Sequence, residues 1–503
     1  MCQRLGFVLA AAACLFAPAR ATARLNVLLL VADDLNNRLG CYGDPLVRTP
    51  HIDRLAARGV RFDRAYCAFP LCGPSRNALL TGLYPNASGV LANGQIFRQT
   101  VPDRLSLPQT FRRHGYFAAR VGKLYHYNVP NSIGTDGHDD PASWELQLNP
   151  AGVDRTEEHP AIFSLVPGQF GGVLSWHASP HDASRHTDGL LAEDAQWVLE
   201  RCARRPDRPF FLAVGFFRPH TPFVAPKTPW FDQYDPAAMP VIEDAEQDRH
   251  DLPPAALASR KPEQQAMTRQ RQREALQAYY ACVSFMDAQV GRVIDALERY
   301  GLADDTVVVF TSDHGYHLGE HGLWQKMSLF EESCRVPLLV VAPGAAGGGR
   351  CADPVSHVDL FPTLAELCGV APPAGLQGQS LVPLLRNPQA TGRSWAVTQV
   401  TRGAGRSAAP RQPDAPPERF FGYSLRTSRW RYTEWDEGRQ GRELYDHAED
   451  PREQHNLAAE PAFQATVAGL AEQLQACFRG GYPTAEQTPP LQPGVWAPQF
   501  VDP

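Results

Sequence analysis

The chain has 503 residues, 43 % hydrophobic and 20 % charged, with 48 Lys+Arg against 54 Asp+Glu and a net charge of −6. This balance excludes disorder as the main state and leaves no basic surplus for nucleic-acid binding as the main function. Eleven cysteines are too sparse for a disulfide scaffold.

Met1 to Ala23 reads as a secretory signal peptide outside the fold. Arg4 precedes an apolar run from Leu5 to Ala17, and small-residue cleavage sites stand at Ala21 and Ala23. The run is shorter than the roughly 20 apolar residues a membrane span needs. The expectation is an exported protein with no membrane span, periplasmic or secreted in a bacterium, lysosomal or secretory in a eukaryote. Removing Cys2 and Cys14 leaves an odd set of thiols, which suggests that one of them has a separate fate.

From Leu25 the chain reads Leu-Asn-Val-Leu-Leu-Leu-Val-Ala-Asp-Asp. A continuous apolar run ending in two acids suits a strand buried on both faces, as in a parallel sheet. Pro209 to Gly215, Thr306 to Asp313 and Val336 to Ala342 repeat the pattern. Between the last two and the first lie helical patterns, the clearest over Gln265–Arg299, with Leu276, Tyr280, Val283, Val290, Ile294 and Leu297 on one stripe. Strands alternating with helices predict an α/β fold with a large mixed, mostly parallel sheet covered by helices. Ligands collect beyond the carboxyl ends of such strands, where Asp33, Asp34 and Asp313 fall. After Pro383 the texture changes. We expect the main unit over 24–385 and a smaller C-terminal α+β unit over 386–503, with a flexible Gly/Ala/Pro-rich loop at 403–418 and a closing helix over about 462–477.

Three clusters carry candidate chemistry. Asp33-Asp34 places two repelling carboxylates together, as a cation site does, although a solvated turn has the same sequence. Cys72-Gly-Pro-Ser-Arg76 continues to Leu80-Thr81-Gly82; its plain reading is an inert thiol ahead of a helix opened by Pro74. Asp313-His314 supplies a carboxylate and an imidazole at a strand end, with Lys326 further along to meet an anion.

The stretch from Cys72 to Gly82 resembles the signature of type I sulfatases of the alkaline-phosphatase superfamily, in which the cysteine is oxidised to Cα-formylglycine. The resemblance continues through the Asp-Asp strand, Thr49-Pro-His-Ile-Asp-Arg-Leu-Ala, Gly122-Lys123-Leu-Tyr-His126, Pro219-His220-Thr-Pro-Phe, Ser356-His-Val-Asp-Leu-Phe-Pro-Thr and Glu443-Leu-Tyr-Asp-His. Many members of the family carry Asp-Asn where this chain has Asp313-His314. That pair, Lys123-x-x-His126 and Trp324-Gln-Lys326-Met-Ser look most like the iduronate-2-sulfatase branch.

The resemblance implies the following roles. A formylglycine-generating enzyme converts Cys72, whose hydrated aldehyde offers two hydroxyls: one attacks sulfur, and the other expels sulfate as the hemiacetal collapses. Asp33, Asp34, Asp313 and His314, with residue 72, hold one divalent cation. Oxygen-rich ligation favours Ca²⁺ over Zn²⁺, while the single imidazole leaves Mg²⁺ or Mn²⁺ open. Arg76, Lys123 and His126 fix and activate the diol. His220 and Lys326 bind sulfate oxygens, and His220 protonates the leaving alcohol. The substrate is a sulfated carbohydrate, which the branch alone narrows to a 2-O-sulfated uronic acid.

Two other functions compete: a phosphonate monoester or phosphodiester hydrolase on the same scaffold, and a catalytically silent carbohydrate-binding protein. Asp53 and Asp359 are expected to serve caps and turns. His317 and His321 are expected to flank the metal cluster or face substrate, and the loops 127–185 and 223–264 to set substrate choice. Asn86-Ala-Ser88 is a glycosylation sequon if the host is eukaryotic.

Overall fold

The apolar run after Leu25 forms the strand Asn26–Ala32 inside a nine-stranded sheet. The computed structural model describes residues 24–243, 248–403 and 419–478. The expected signal peptide, residues 404–418 of the expected loop and everything after 478 lie outside them.

Along the sheet the strands run Gly349–Cys351, Val60–Tyr66, Arg335–Val341, Thr306–Ser312, Asn26–Ala32, Phe210–Gly215, Phe117–Gly122 and Leu146–Leu148, with Val355–Ser356 also paired to Val60–Tyr66. Asn26–Ala32 is parallel to both neighbours, Val27 opposite Phe211 and Val307. Its side chains alternate between two cores. Leu28, Leu30 and Ala32 join one apolar cluster, with the helices Thr187–Ala203 and Arg269–Arg299; Val27, Leu29 and Val31 join another, with Leu79, Leu80, Phe111 and Phe361. A strand buried on both faces must be apolar throughout, as the sequence reads.

One expectation needs correcting. Arg335–Val341 has the same unbroken apolar pattern but runs antiparallel to both its neighbours, Thr306–Ser312 and Val60–Tyr66. Burial on both faces selects the residues, and it does so whichever way the chain enters the sheet. The long helix also starts later than its periodicity suggests. Thr268 accepts from the Arg271 N–H at 3.3 Å and so caps the helix at Arg269, while Pro262–Gln265 forms a separate turn of helix.

A four-stranded antiparallel sheet, Trp395–Arg402, Phe420–Thr427, Trp430–Trp435 and Arg442–Asp446, packs Leu425, Tyr432 and Leu444 against Leu470 and Leu474 of the helix Gln464–Phe478. It is stitched to the large sheet through Thr398, whose hydroxyl donates to the Cys67 carbonyl at 2.7 Å. Among the described residues the cysteines are free thiols, and no helix is long and apolar enough to cross a membrane. Asn86 is buried, its Nδ2 donating to Tyr423 at 2.8 Å and its Oδ1 accepting from Gln399 at 2.7 Å, so the sequon does not present an accessible acceptor.

Candidate active site

Two parallel strands end side by side and deliver the acids. Asn26–Ala32 runs into Asp33 and Asp34, and Thr306–Ser312 runs into Asp313 and His314. The Asp34 N–H donates to Asp313 Oδ1 at 3.1 Å, which locks the two ends together. Asp34 holds a left-handed backbone, φ 64°, and its carbonyl accepts from Tyr279 at 2.9 Å. All four side chains are fully buried.

Cys72 enters from the first position of the helix Cys72–Thr81, which Gly82 ends at φ 64°. That conformation favours glycine over any residue with a side chain. The Cys72 thiol lies 3.3 Å from His314 Nε2, 3.2 Å from Lys326 Nζ and 3.6 Å from Asp33 Oδ1. Ser75, on the same helix, donates to the Asp313 carbonyl and ties the helix to the strand end.

The cations are not surface groups. Arg76, 1 % exposed, donates through Nε to Asp313 Oδ2 at 2.9 Å, through Nη2 to Asp33 Oδ1 at 3.2 Å and through Nη1 to the Lys123 carbonyl at 2.6 Å. Lys123, wholly buried, donates to Asp33 Oδ2 at 2.5 Å. Its backbone lies so close to Gly215 that a Cβ there would strike it. Lys326 donates to Asp34 Oδ1 at 2.6 Å. Burial opposes ionisation of every acid here, yet the neighbouring cations prevail. Lys123 and Arg76 hold Asp33 below its usual range, as Lys326 does Asp34 and Arg76 does Asp313.

Both candidate histidines beside Asp34 have a fixed orientation. His314 Nδ1 donates to the Gly315 carbonyl at 2.9 Å, which turns the Nε2 lone pair toward Asp34 Oδ1 at 3.3 Å and Asp313 Oδ2 at 3.6 Å. Burial, with Lys326 close by, holds His314 below its usual range, in the neutral form a ligand needs. His220 Nδ1 donates to the Thr221 carbonyl at 2.5 Å and its Nε2 faces Asp34 Oδ2 at 3.8 Å. His126 is buried with Nδ1 unpartnered, and burial with Lys123 keeps it well below its usual range.

The donor set fits a divalent cation. Asp34 Oδ2 is buried without a hydrogen-bond donor. The 3.3–3.6 Å spacings from His314 to Asp34 and Asp313 match the roughly 3.4 Å between adjacent ligands bound about 2.4 Å from a common ion. Asp33, Asp34, Cys72 and His220 also lie within one ligand sphere, so His220, expected on the sulfate, stands beside the cation ligands as well.

Other residues do different work. Asp53 accepts from the Cys41 N–H at 2.6 Å, and Asp359 forms a capping box with Ser356, both as expected. His321 faces neither the cluster nor an open surface. It pairs with Asp248 at 2.8 Å and Glu332 at 3.6 Å, while His317 hydrogen-bonds Ser328 at 2.6 Å. Burial opposes the charge on His321, but Asp248 and Glu332 raise its pKa to about 10. The stability it contributes is therefore fully present below its unfolded value of about 6.5 and is lost as pH rises through about 10. Between pH 7 and 10 the wild type should lose urea resistance relative to His321→Gln; parallel unfolding curves over that range would remove this assignment. Tyr279 and Asn93, which accepts from the Gly73 N–H at 2.8 Å, support the site without any motif that marks them, and Ser75 does so from within the Cys72–Arg76 motif. Tyr279 reads as core because its ring is core and only its hydroxyl reaches Asp34.

A mostly parallel sheet with acids, a thiol and fixed cations at its strand ends defines an alkaline-phosphatase-like hydrolase fold. A family model described as Sulfatase matches residues 25–370, and the chain belongs to that family, whose members are sulfuric ester hydrolases. It is 32 % identical to iduronate 2-sulfatase of Mus musculus, over 82 % of this chain and 85 % of that one. It is 31 % identical to a sulfatase of Formosa agariphila, over 88 % and 85 %. Among solved structures it superposes on a phosphonate monoester hydrolase of Agrobacterium radiobacter with a TM-score of 0.72, at 27 % identity and covering 91 % of this chain and 96 % of that one.

Proposed function

We propose that the protein hydrolyses a sulfate ester on a carbohydrate, that Cys72 acts after conversion to formylglycine by a formylglycine-generating enzyme, and that a 2-O-sulfated uronic acid is the substrate. The observation that carries this reading is the Cys72 sulfur, held within 3.6 Å of Asp33, His314 and Lys326 at the start of a helix. Likeness to iduronate 2-sulfatase supports the sugar. The same proposal includes export through the leader and a catalytic unit over 24–385 with a C-terminal unit from 386.

Converted Cys72 supplies two geminal hydroxyls, one to attack sulfur and one to release sulfate. A cation held by Asp33, Asp34, Asp313 and His314, most simply Ca²⁺, supplies Lewis-acid polarisation. The chain's own residues do the rest. Arg76 holds Asp33 and Asp313 in register, so the acids keep their charge and position. Lys123 fixes Asp33, and with His126 it orients residue 72. Lys326 brings a positive charge within reach of both residue 72 and a sulfate oxygen, where fixed cations favour the charge that develops in the transition state. His220 presents Nε2, the nitrogen left free by its bond to Thr221, to protonate the leaving oxygen.

Mass spectrometry of the peptide containing Cys72 from the native host tests the conversion: a loss of about 18 Da relative to cysteine is expected, and an intact thiol overturns it. Likeness to a phosphonate monoester hydrolase favours a second reading. Comparing 4-nitrophenyl sulfate with 4-nitrophenyl phenylphosphonate separates the two; faster phosphonate turnover overturns the sulfatase assignment. Chelation should abolish turnover and lower the thermal midpoint by roughly a few degrees, because the clustered carboxylates lose their counter-ion. Ca²⁺ should restore both, and full activity in chelator would remove the cation from the scheme.

A further inference from the structure

Lys326 is joined at the edge of the cluster by a second lysine that no motif marks. Lys261 lies within one of the loops expected to set substrate choice and reaches across to the other. Its Nζ donates to the Gly172 carbonyl and, at 3.0 Å, to Gln325 Oε1. Gln325 Nε2 donates to the same Gly172 carbonyl at 3.2 Å. Three separate segments therefore meet at one ammonium group. Gln325 holds a left-handed backbone, φ 79°, and the next residue is Lys326, whose Nζ lies 3.2 Å from the Cys72 sulfur.

Both acceptors of Lys261 are neutral. Among the described residues no carboxylate oxygen comes within 4.0 Å of its Nζ. Burial and the charge on Lys326 hold its ammonium below the usual lysine range, against the opposing pull of Glu263. An oriented cation with no carboxylate at ion-pair distance, beside a second cation already aimed at the nucleophile, is a place for an anion.

Resting on the sulfatase reading, we infer that Lys261 is a specificity-determining residue that pairs with the carboxylate of the uronic acid whose sulfate lies at Cys72. Lys326 then meets the sulfate and Lys261 the carboxylate, so the sugar is held at two charged points. A sulfated sugar without a carboxylate would fill only one of them and leave Lys261 unpaired.

The test is calorimetric binding to the full-length Ca²⁺-loaded Cys72→Ala protein, which cannot turn over. The probes are a 2-O-sulfated uronate-terminated disaccharide and the same disaccharide with its carboxyl group reduced to the alcohol. With Lys261 present the carboxylate form should bind about tenfold tighter. In Lys261→Met that ratio should fall below about threefold, and Lys261→Arg should largely keep it. Equal ratios with and without Lys261, a ratio near one from the start, or no measurable binding of either disaccharide overturns the inference. The parent reading fails separately. Absence of sulfate-ester turnover by the wild type, with discrimination intact in the binding assay, removes the sulfatase assignment and leaves Lys261 as a carboxylate reader. Sulfate-ester turnover without discrimination does the reverse.

Discussion

Replacing Cys72 with Ser should reduce multiple turnover of 4-nitrophenyl sulfate by at least about 10³-fold while leaving the fold unchanged. The serine hydroxyl is close in size to the thiol, whose sulfur lies 3.3 Å from His314 and 3.2 Å from Lys326, and it keeps a polar group at that point. Circular dichroism and the thermal midpoint should therefore match the wild type. A serine can accept sulfate once but has no second hydroxyl from which to expel it. The variant should stall after at most one turnover, visible as a stoichiometric burst, whereas Cys72→Ala should give no burst. Sustained wild-type turnover by the serine variant would sink the two-hydroxyl scheme, whatever the substrate proves to be.

The second large effect is on stability. Arg76→Met should lower unfolding free energy by roughly 3–5 kcal/mol at neutral pH, the range for breaking a buried ion pair and stranding its partner. Here Asp313, 2.9 Å from Arg76, is stranded, while Asp33, 3.2 Å from Arg76, loses one of its two cations and keeps Lys123. In the wild type both acids are held below their usual range. Their contribution is therefore present above the unfolded carboxylate value near 4 and is lost as pH falls through the lower folded value. Removing Arg76 raises those folded values, so the deficit should be largest at pH 7 and should shrink as pH falls below about 4. Urea unfolding at pH 7 and at about pH 2.5, below the unfolded carboxylate value, measures both numbers. A deficit under about 1 kcal/mol, or one that does not vary with pH, would mean that Arg76 is not the counter-charge of the site.

These two positions differ in how legible they were. Cys72 and Arg76 stand four residues apart in one motif, and the helix that carries them follows from local sequence. What the motif could not convey is that Arg76 is buried. A lone arginine on a short helix ordinarily reaches solvent, and only the two strand ends, brought together from opposite parts of the chain, make its burial tolerable. Lys123 repeats the lesson: its motif marks it, but not that its ammonium is wholly buried on Asp33, with its backbone packed closely against Gly215 of the neighbouring strand. His321 shows the limit from the other side. Its position beside Asp313-His314 suggested a place near the metal cluster, yet a left-handed backbone at φ 55° turns this segment toward Asp248 and Glu332.

The sequence alone determined the strands that are apolar on both faces, the acids at their ends, a helix opened by Pro74 just after Cys72 and the family those motifs belong to. Each is a local pattern, written in consecutive residues or in a fixed period, and burial or capping enforces it one element at a time. Only the tertiary structure decided that Arg335–Val341 enters the sheet reversed, because two-sided burial selects the same residues in either direction. It also decided which charges neutralise one another. Cys72 and His314 are 242 positions apart, and Lys261 meets Gly172 and Gln325 across three segments. Coulomb energy depends on distance and burial, and no sequence spacing reports either across separate elements.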